Sequence, residues 1–282
     1  MNLQALLTHK FDAKTVSYND RDTMLYALSL GAGDPAHLEQ DLNLVYEKNL
    51  VCLPTITAVL AHPGLWMTAA QFDIKLVKLL HAEQRIDFYH SIPPSGEIRA
   101  EYRVSAIIDK GPDKGAFMHF DKDIYNTANN ELLCTVRACY LLRGDGGCGS
   151  FGEAPAALAA VPSGEPDIVS EIAIDERAAL IYRLNGDRNP LHVDPAIAKQ
   201  AGFAKPILHG LCAYGVAGLA LTRAIDGDVN RIASLGLRFS APVYPGETLV
   251  IEGWRSAAGI HFRASSKERQ QIVLNNGFMA LR

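Results

Sequence analysis

The chain repeats itself, and this constrains its fold more than any other feature. The stretch Arg21–Pro35 echoes Glu176–Pro190, Leu53–Ala61 parallels Lys205–Ala213, and Pro94–Glu97 matches Tyr244–Glu247, in the same order. Taken at Tyr26/Tyr182, Leu53/Lys205 and Gly96/Gly246, the offsets are 156, 152 and 150. Three ordered similarities at a nearly constant spacing mean an internal duplication. The 282 residues therefore divide into two copies of one domain, 1–143 and 166–282, with 144–165 between them.

That intervening stretch is rich in Gly, Ala, Ser and Pro and lacks periodicity, so it reads as a surface linker. It contains a decoy: Gly144-Asp145-Gly146-Gly147-Cys148-Gly149 satisfies G-x-G-x-x-G and follows a strand-like run. Pro155 and Pro162 leave no room for the helix that a dinucleotide fingerprint must open, so a connection is the better account.

After each Gly-Glu turn come three segments of strand character. They are Ile98–Ile108, Gly115–Tyr125 and Glu131–Leu142 in the first copy, and Thr248–Ser256, Ile260–Ser266 and Gln271–Leu281 in the second. Their spacing mixes alternation with short apolar runs, as in a curved antiparallel sheet covered on one face. The cover in the second copy is a helix from about His209 to Ala224, so poor in charge that it must be buried nearly all round. The expected class is α+β, with each copy an antiparallel sheet wrapped around a central helix.

Composition narrows the partners. A formal charge of −4 argues against non-specific nucleic-acid binding. The apolar stretch Leu208–Thr222 falls short of the ~20 residues that cross a bilayer, so no membrane partner is expected. Five scattered cysteines without a C-x-x-C pair indicate neither a disulfide framework nor a zinc knuckle. With no import pattern at the N-terminus and Ala280-Leu281-Arg282 in place of a peroxisomal address, the expected location is cytoplasmic.

The chemistry concentrates in Tyr182–Pro195. Gly186 frees the backbone for a turn, Asn189-Pro190 fixes an extended dipeptide, and Asp194-Pro195 supplies an N-cap and first-turn proline for a short helix ending before Gly202. Asp187 and His192 thus share a stiff loop, where a carboxylate and an imidazole can hold one water and exchange its protons near neutral pH. Downstream, Pro206-Ile207-Leu208-His209-Gly210 leads into the buried helix. Gly210 has no side chain to block approach to its N–H, a donor for negative charge on a carbonyl oxygen.

Gly186-Asp187, Asn189-Pro190-Leu191-His192, Gly202-Phe203, Pro206, His209-Gly210 and Phe239 through Pro242-Val243 to Pro245-Gly246-Glu247 resemble the MaoC-like, R-specific enoyl-CoA hydratase family. The resemblance reaches into the first copy through Tyr26–Gly33, Tyr46-Glu47 and Leu53-Pro54-Thr55, which are similar to the non-catalytic half of double-domain members. It implies two fused hot-dog folds with sheets side by side, and reversible hydration of a trans-2-enoyl-CoA to a (3R)-3-hydroxyacyl-CoA. Asp187 and His192 would then activate the water, Gly210 would bind the thioester oxygen, and Asn189 would order the loop or the water. No metal or redox cofactor is implied, because the thioester is the electron sink.

In the first copy Ala32 stands for Asp187, Asp34 for Asn189, Thr57 for His209 and Ala58 for Gly210, while His37 falls opposite His192 and reads as a solvated histidine. In the family the degenerate half has lost part of its helix and accommodates a long or bulky acyl chain. Pro35–Cys52 departs similarly here, favouring medium, long or branched substrates. His209 either packs the loop or serves the site, and Tyr182 belongs to the core. Arg188, Lys205 and Arg238 lie near the motif as candidate partners for coenzyme A phosphates, with Phe239 beside them. His192 and Asp194 lack further metal ligands at suitable spacing, so no metal site is expected. A hot-dog acyl-CoA thioesterase and a non-catalytic acyl-thioester binding subunit remain as alternatives. A homodimer is compatible with the sequence, although duplication already supplies the side-by-side pairing.

Overall fold

A computed structural model describes residues 1–282. Ten strands form one antiparallel sheet. In the first half they are β1 (Lys14–Tyr18), β2 (Leu79–Phe88), β3 (Gly96–Asp109), β4 (Ala116–Asn126) and β5 (Leu132–Leu142). In the second they are β6 (Ile168–Ala173), β7 (Ile232–Phe239), β8 (Thr248–Ser256), β9 (Gly259–Ser266) and β10 (Gln271–Leu281). The order is β1-β3-β4-β5-β2-β7-β10-β9-β8-β6. Read inward from either edge, both halves follow the same permutation, so the duplication seen in the sequence is a structural one.

The halves meet where β2 pairs with β7, in a register that sets Glu83 opposite Arg238, Arg85 opposite Gly236 and Asp87 opposite Ser234. All six expected strands are present, within two residues at each end. β1, β2, β6 and β7 were not anticipated. Charged residues such as Glu83, Arg85 and Asp87 in β2 and Arg238 in β7 interrupt their apolar runs, so the pattern lacks a clean alternation.

The central helix, Gly210–Arg223, is buried along all but its first residue. In the first half its counterpart shrinks to a 3₁₀ turn, Pro54–Ala58. Thr55, Ile56, Thr57 and Val59 are β-branched and Pro63 follows, so this segment has little reason to continue as a helix. The ammonium of Lys122 on β4 instead receives its loose carbonyls, donating to Thr57 O at 2.8 Å, Ala58 O at 3.2 Å and Leu60 O at 2.7 Å. Burial pushes this lysine down to about 7. Tyr26 and Tyr182, the paired repeat tyrosines, are both fully buried with ring centroids 6.0 Å apart.

Between the halves, 144–165 carries no helix or strand beyond the bridge of Phe151 to Ile107. Its glycine motif wraps a carboxylate of the protein itself: Gly147 and Gly149 donate their N–H groups to Asp109, at 2.9 and 2.8 Å. These two donors, together with Gly111 N–H, hold Asp109 below the usual carboxylate range. His37, expected to be solvated, is half-exposed and engages Asp34 through Nδ1 at 3.0 Å. Asp34 in turn meets Arg223 at the end of the central helix, 2.9 Å away, and Arg223 also binds the buried Asp41.

Candidate active site

The loop between Tyr182 and Pro195 is held by its own polar groups. Gly186 adopts φ +128°, which a side chain would strain, and turns the chain toward Asp187. Asp187 Oδ1 accepts Asn189 N–H at 3.2 Å, and Asn189 Oδ1 accepts Leu191 N–H at 3.1 Å. Two successive Asx turns therefore lead into the 3₁₀ turn Pro190–His192. Asp194 caps the helix Pro195–Gln200, accepting from Ala196 N and Ile197 N. Its carboxylate is thus committed to a structural task.

His192 is buried, and its Nδ1 lies 2.9 Å from the carbonyl of Ile207. A carbonyl only accepts, so Nδ1 carries the proton and Nε2 offers a lone pair. His209 stacks on His192 with centroids 3.8 Å apart and 29° between planes. By the same reasoning its Nε2, 3.1 Å from Asp187 O, is the protonated nitrogen. His209 therefore fastens the loop to the start of the central helix. Its Nδ1 is buried with no partner.

Burial lowers the pKa of His192, against the opposing pull of the Ile207 hydrogen bond and the Asp187 charge. His209 is pushed down to about 4, by burial first and then by His192. Both rings are neutral near pH 7. One ligand atom from each of Asp187, His192 and His209 falls within 4.8 Å of the others, so the three surround a common space. One carboxylate and two imidazoles are also chemically competent donors for a divalent transition metal.

Gly210 is the first residue of the central helix, and its N–H precedes any intrahelical acceptor. It is exposed while His209 and Leu211 on either side are buried. A Cβ at this position would stand 3.3 Å from Phe239 Cε1, so that ring forms one wall of the approach. Across from it, His81 on β2 packs edge-on to Phe239 at 4.9 Å and lies 4.9 Å from Tyr140 on β5. Sequence reasoning missed these first-half residues, because they reach the site only through the β2–β7 seam.

The candidate phosphate ligands are dispersed. Arg188 is exposed beside Asp187. Lys205 lies over the Tyr244 ring at 5.6 Å with Nζ 3.4 Å from Pro245 O. Arg238 pairs with Glu83 across the seam, NH2 to Oε1 at 2.7 Å.

Comparison with known proteins bears on this arrangement. Residues 158–276 match the family model described as MaoC like domain, and 16–144 match the MFE-2 hydratase 2 N-terminal domain. An Arabidopsis thaliana protein named Enoyl-CoA hydratase 2, peroxisomal, is 35% identical over 97% of this chain and 93% of its own length. The chain belongs to the MaoC-like hydratase family. Peroxisomal multifunctional enzyme type 2 of Mus musculus is 36% identical over 97% of the chain, which spans 38% of that longer protein. The crystal structure of a MaoC-like dehydratase from Phytophthora capsici superposes with a TM-score of 0.88 at 29% identity, covering 100% of this chain and 98% of that one. The α+β architecture of this MaoC-like chain, one long antiparallel sheet with helices, agrees with the double hot-dog fold expected above. No helix is long and apolar enough to cross a membrane.

Proposed function

We propose that the protein hydrates trans-2-enoyl-CoA reversibly to (3R)-3-hydroxyacyl-CoA. One observation carries this reading: a neutral His192, held as the Nδ1–H tautomer, the Asp187 carboxylate and His209 surround a common space, and His209 is followed directly by Gly210 at the start of the central helix. The Asp187 carboxylate and His192 Nε2 are hydrogen-bond acceptors, so a water between them gives one hydrogen to each and turns a lone pair to the substrate. As its oxygen bonds the β-carbon, the O–H bond breaks, its proton passes to the dyad, and a proton returns to the α-carbon. Meanwhile Gly210 N–H, at the positive end of the central helix, meets the negative charge on the thioester oxygen. Asn189 acts by ordering the loop. The thioester itself accepts the electron pair, so this chemistry calls for no redox cofactor.

Division of labour between the copies follows from the same reading. Residues 166–282 would supply the dyad, 1–143 would receive the acyl chain where the 3₁₀ turn replaces a helix, and 144–165 would connect them. Medium, long or branched chains are then the preferred substrates. Cytoplasmic action and a homodimer belong to this proposal as well, although several relatives are peroxisomal by name.

Purified protein assayed against enoyl-CoAs of graded length, with chiral analysis of the product, tests the proposal. The (3R) alcohol is expected, with turnover maintained on long chains. Free CoA released from saturated acyl-CoA would identify a thioesterase instead, and ligand binding without turnover would identify a binding subunit.

A further inference from the structure

The first half contributes more than space. Its helix Asp20–Ser29 ends against both segments that carry the chemistry. The buried Ser29 Oγ donates to Tyr26 O at 2.6 Å and accepts Asn185 Nδ2–H at 3.1 Å, while Asn185 Nδ2 also donates to Tyr182 O at 2.9 Å. Ser29 and Asn185 each stand three residues after a repeat tyrosine, and each bonds that tyrosine's carbonyl. The bridge between them therefore joins equivalent positions of the two copies, and it lies two residues before Asp187. Val59 O, 3.5 Å from where a Gly186 side chain would begin, is a second contact of the first half with this loop.

The same helix end meets the start of the central helix. Ser29 O, a terminal carbonyl with no partner inside its own helix, lies 3.9 Å from Sγ of Cys212, a weak S–H donor two residues after Gly210. Farther along, a Cβ on Gly215 would fall 2.7 Å from Leu30 Cδ2 and 2.8 Å from the Tyr26 hydroxyl. Glycine alone permits that approach without moving these two buried side chains. Ser29 is thus held to the central helix through its backbone and to the catalytic loop through its side chain.

Within the catalytic half, His209 and His192 tie the downstream part of the loop in place, at Asp187 O and Ile207 O. Ser29 supplies a tether upstream of Asp187. Between that tether and the carboxylate stands Gly186, at φ +128°, whose rotational freedom an anchor at Asn185 restrains. Water activation and charge stabilisation must act on one bound substrate, so the carboxylate and the Gly210 N–H need a fixed separation. We propose that Ser29, from the half without the dyad, is a positioning residue that sets the Asp187 loop, through Asn185, against the helix carrying Gly210. It exchanges no proton with the substrate. This inference rests on the hydratase reading.

Two measurements test it. Hydrogen exchange followed by mass spectrometry needs no turnover. Ser29→Ala and Asn185→Ala should each speed exchange across 183–192, where Gly186 N–H bonds Arg183 O and Asn189 N–H bonds Asp187 Oδ1, while β8 and β9 exchange as in the wild type. Unchanged exchange across 183–192 would overturn the proposal. Faster exchange throughout, β8 and β9 included, would make Ser29 a support of the whole fold and overturn it equally. Hydration kinetics of the wild type, both variants and Ser29→Ala/Asn185→Ala read the role. Ser29→Ala should lower kcat by about tenfold while KM stays within about threefold. It should cost nothing more once Asn185→Ala is in place, so the double variant should match Asn185→Ala alone. Wild-type kcat in Ser29→Ala, a loss confined to KM, or multiplying losses in the double variant would overturn it. A wild type that fails to hydrate enoyl-CoA would instead sink the functional reading, leaving the exchange result to judge the junction.

Discussion

Gly210→Pro separates the backbone donor from everything else at the helix entrance. Proline is well tolerated at the first helical position, and it demands an extended residue before it. His209, at φ −57° and ψ 131°, already has that conformation. The substitution removes the N–H and leaves the helix able to form. It also adds a Cβ that meets Phe239 Cε1 at 3.3 Å, Cδ1 at 3.5 Å and Cζ at 3.6 Å, so the ring must yield by a few tenths of an ångström. Gly210→Ala brings the same Cβ but keeps the donor, and displacement on that scale should cost under about tenfold. Losing one oxyanion donor costs about 10²–10³ in kcat, or about 2.7–4 kcal/mol. Following loss of the conjugated thioester absorbance for both variants, with circular dichroism as the folding control, gives the comparison. Gly210→Pro should be slower than Gly210→Ala by at least about thirtyfold. Equal rates in two folded variants would refute the assignment of Gly210 as the oxyanion donor.

Three further outcomes are expected. Because burial lowers the pKa of His192, its neutral form persists below pH 6.5, so kcat/KM should hold through that pH and decline only on further acidification; a half-maximal point above 6.5 would contradict this. Lys122, at about 7 in the fold against 10.5 unfolded, contributes stability that is fully present above about 10.5 and is lost as pH falls through about 7. Urea titrations at pH 7 and pH 9.5 should therefore show wild type gaining on Lys122→Met as pH rises, and an unchanged gap would count against the buried, protonation-sensitive clamp. His209→Ala removes the ring that stacks on His192 and binds Asp187 O, and should lower kcat by about tenfold or more with little change in KM; a rate equal to wild type would show that the loop holds without it.

Much of this architecture is legible in the sequence because local chemistry decides it. The Gly-Glu turns announce the strands that follow them, and the near absence of charge between Gly210 and Thr222 announces a buried helix. The seam strands are not legible in that way. In β2 and β7 the apolar runs are interrupted by the charges of Arg85, Asp87 and Arg238, Arg85 pairing with Asp87 along β2 and Arg238 with Glu83 across the seam. Asp187, His192 and Gly210 could be found from short motifs whose turns and caps are encoded within a few residues. His81 and Tyr140 could not, since their position depends on how the first half closes against the second. Comparing copies residue by residue even directs attention away from them, because it marks the first half as decayed. His37 shows the opposite failure: it aligns with His192, yet its ring is engaged by Asp34 in the cluster at the end of the central helix.

The account depends most on Asp187 and His192 acting on one shared water, and kinetics of Asp187→Asn, His192→Gln and the double variant measure that directly. If the two hold the same molecule, each single change abolishes nearly all turnover in a folded protein, and combining them costs little more than the worse single change. Losses that multiply in the double variant, or single variants that hydrate enoyl-CoA at the wild-type rate, would contradict it.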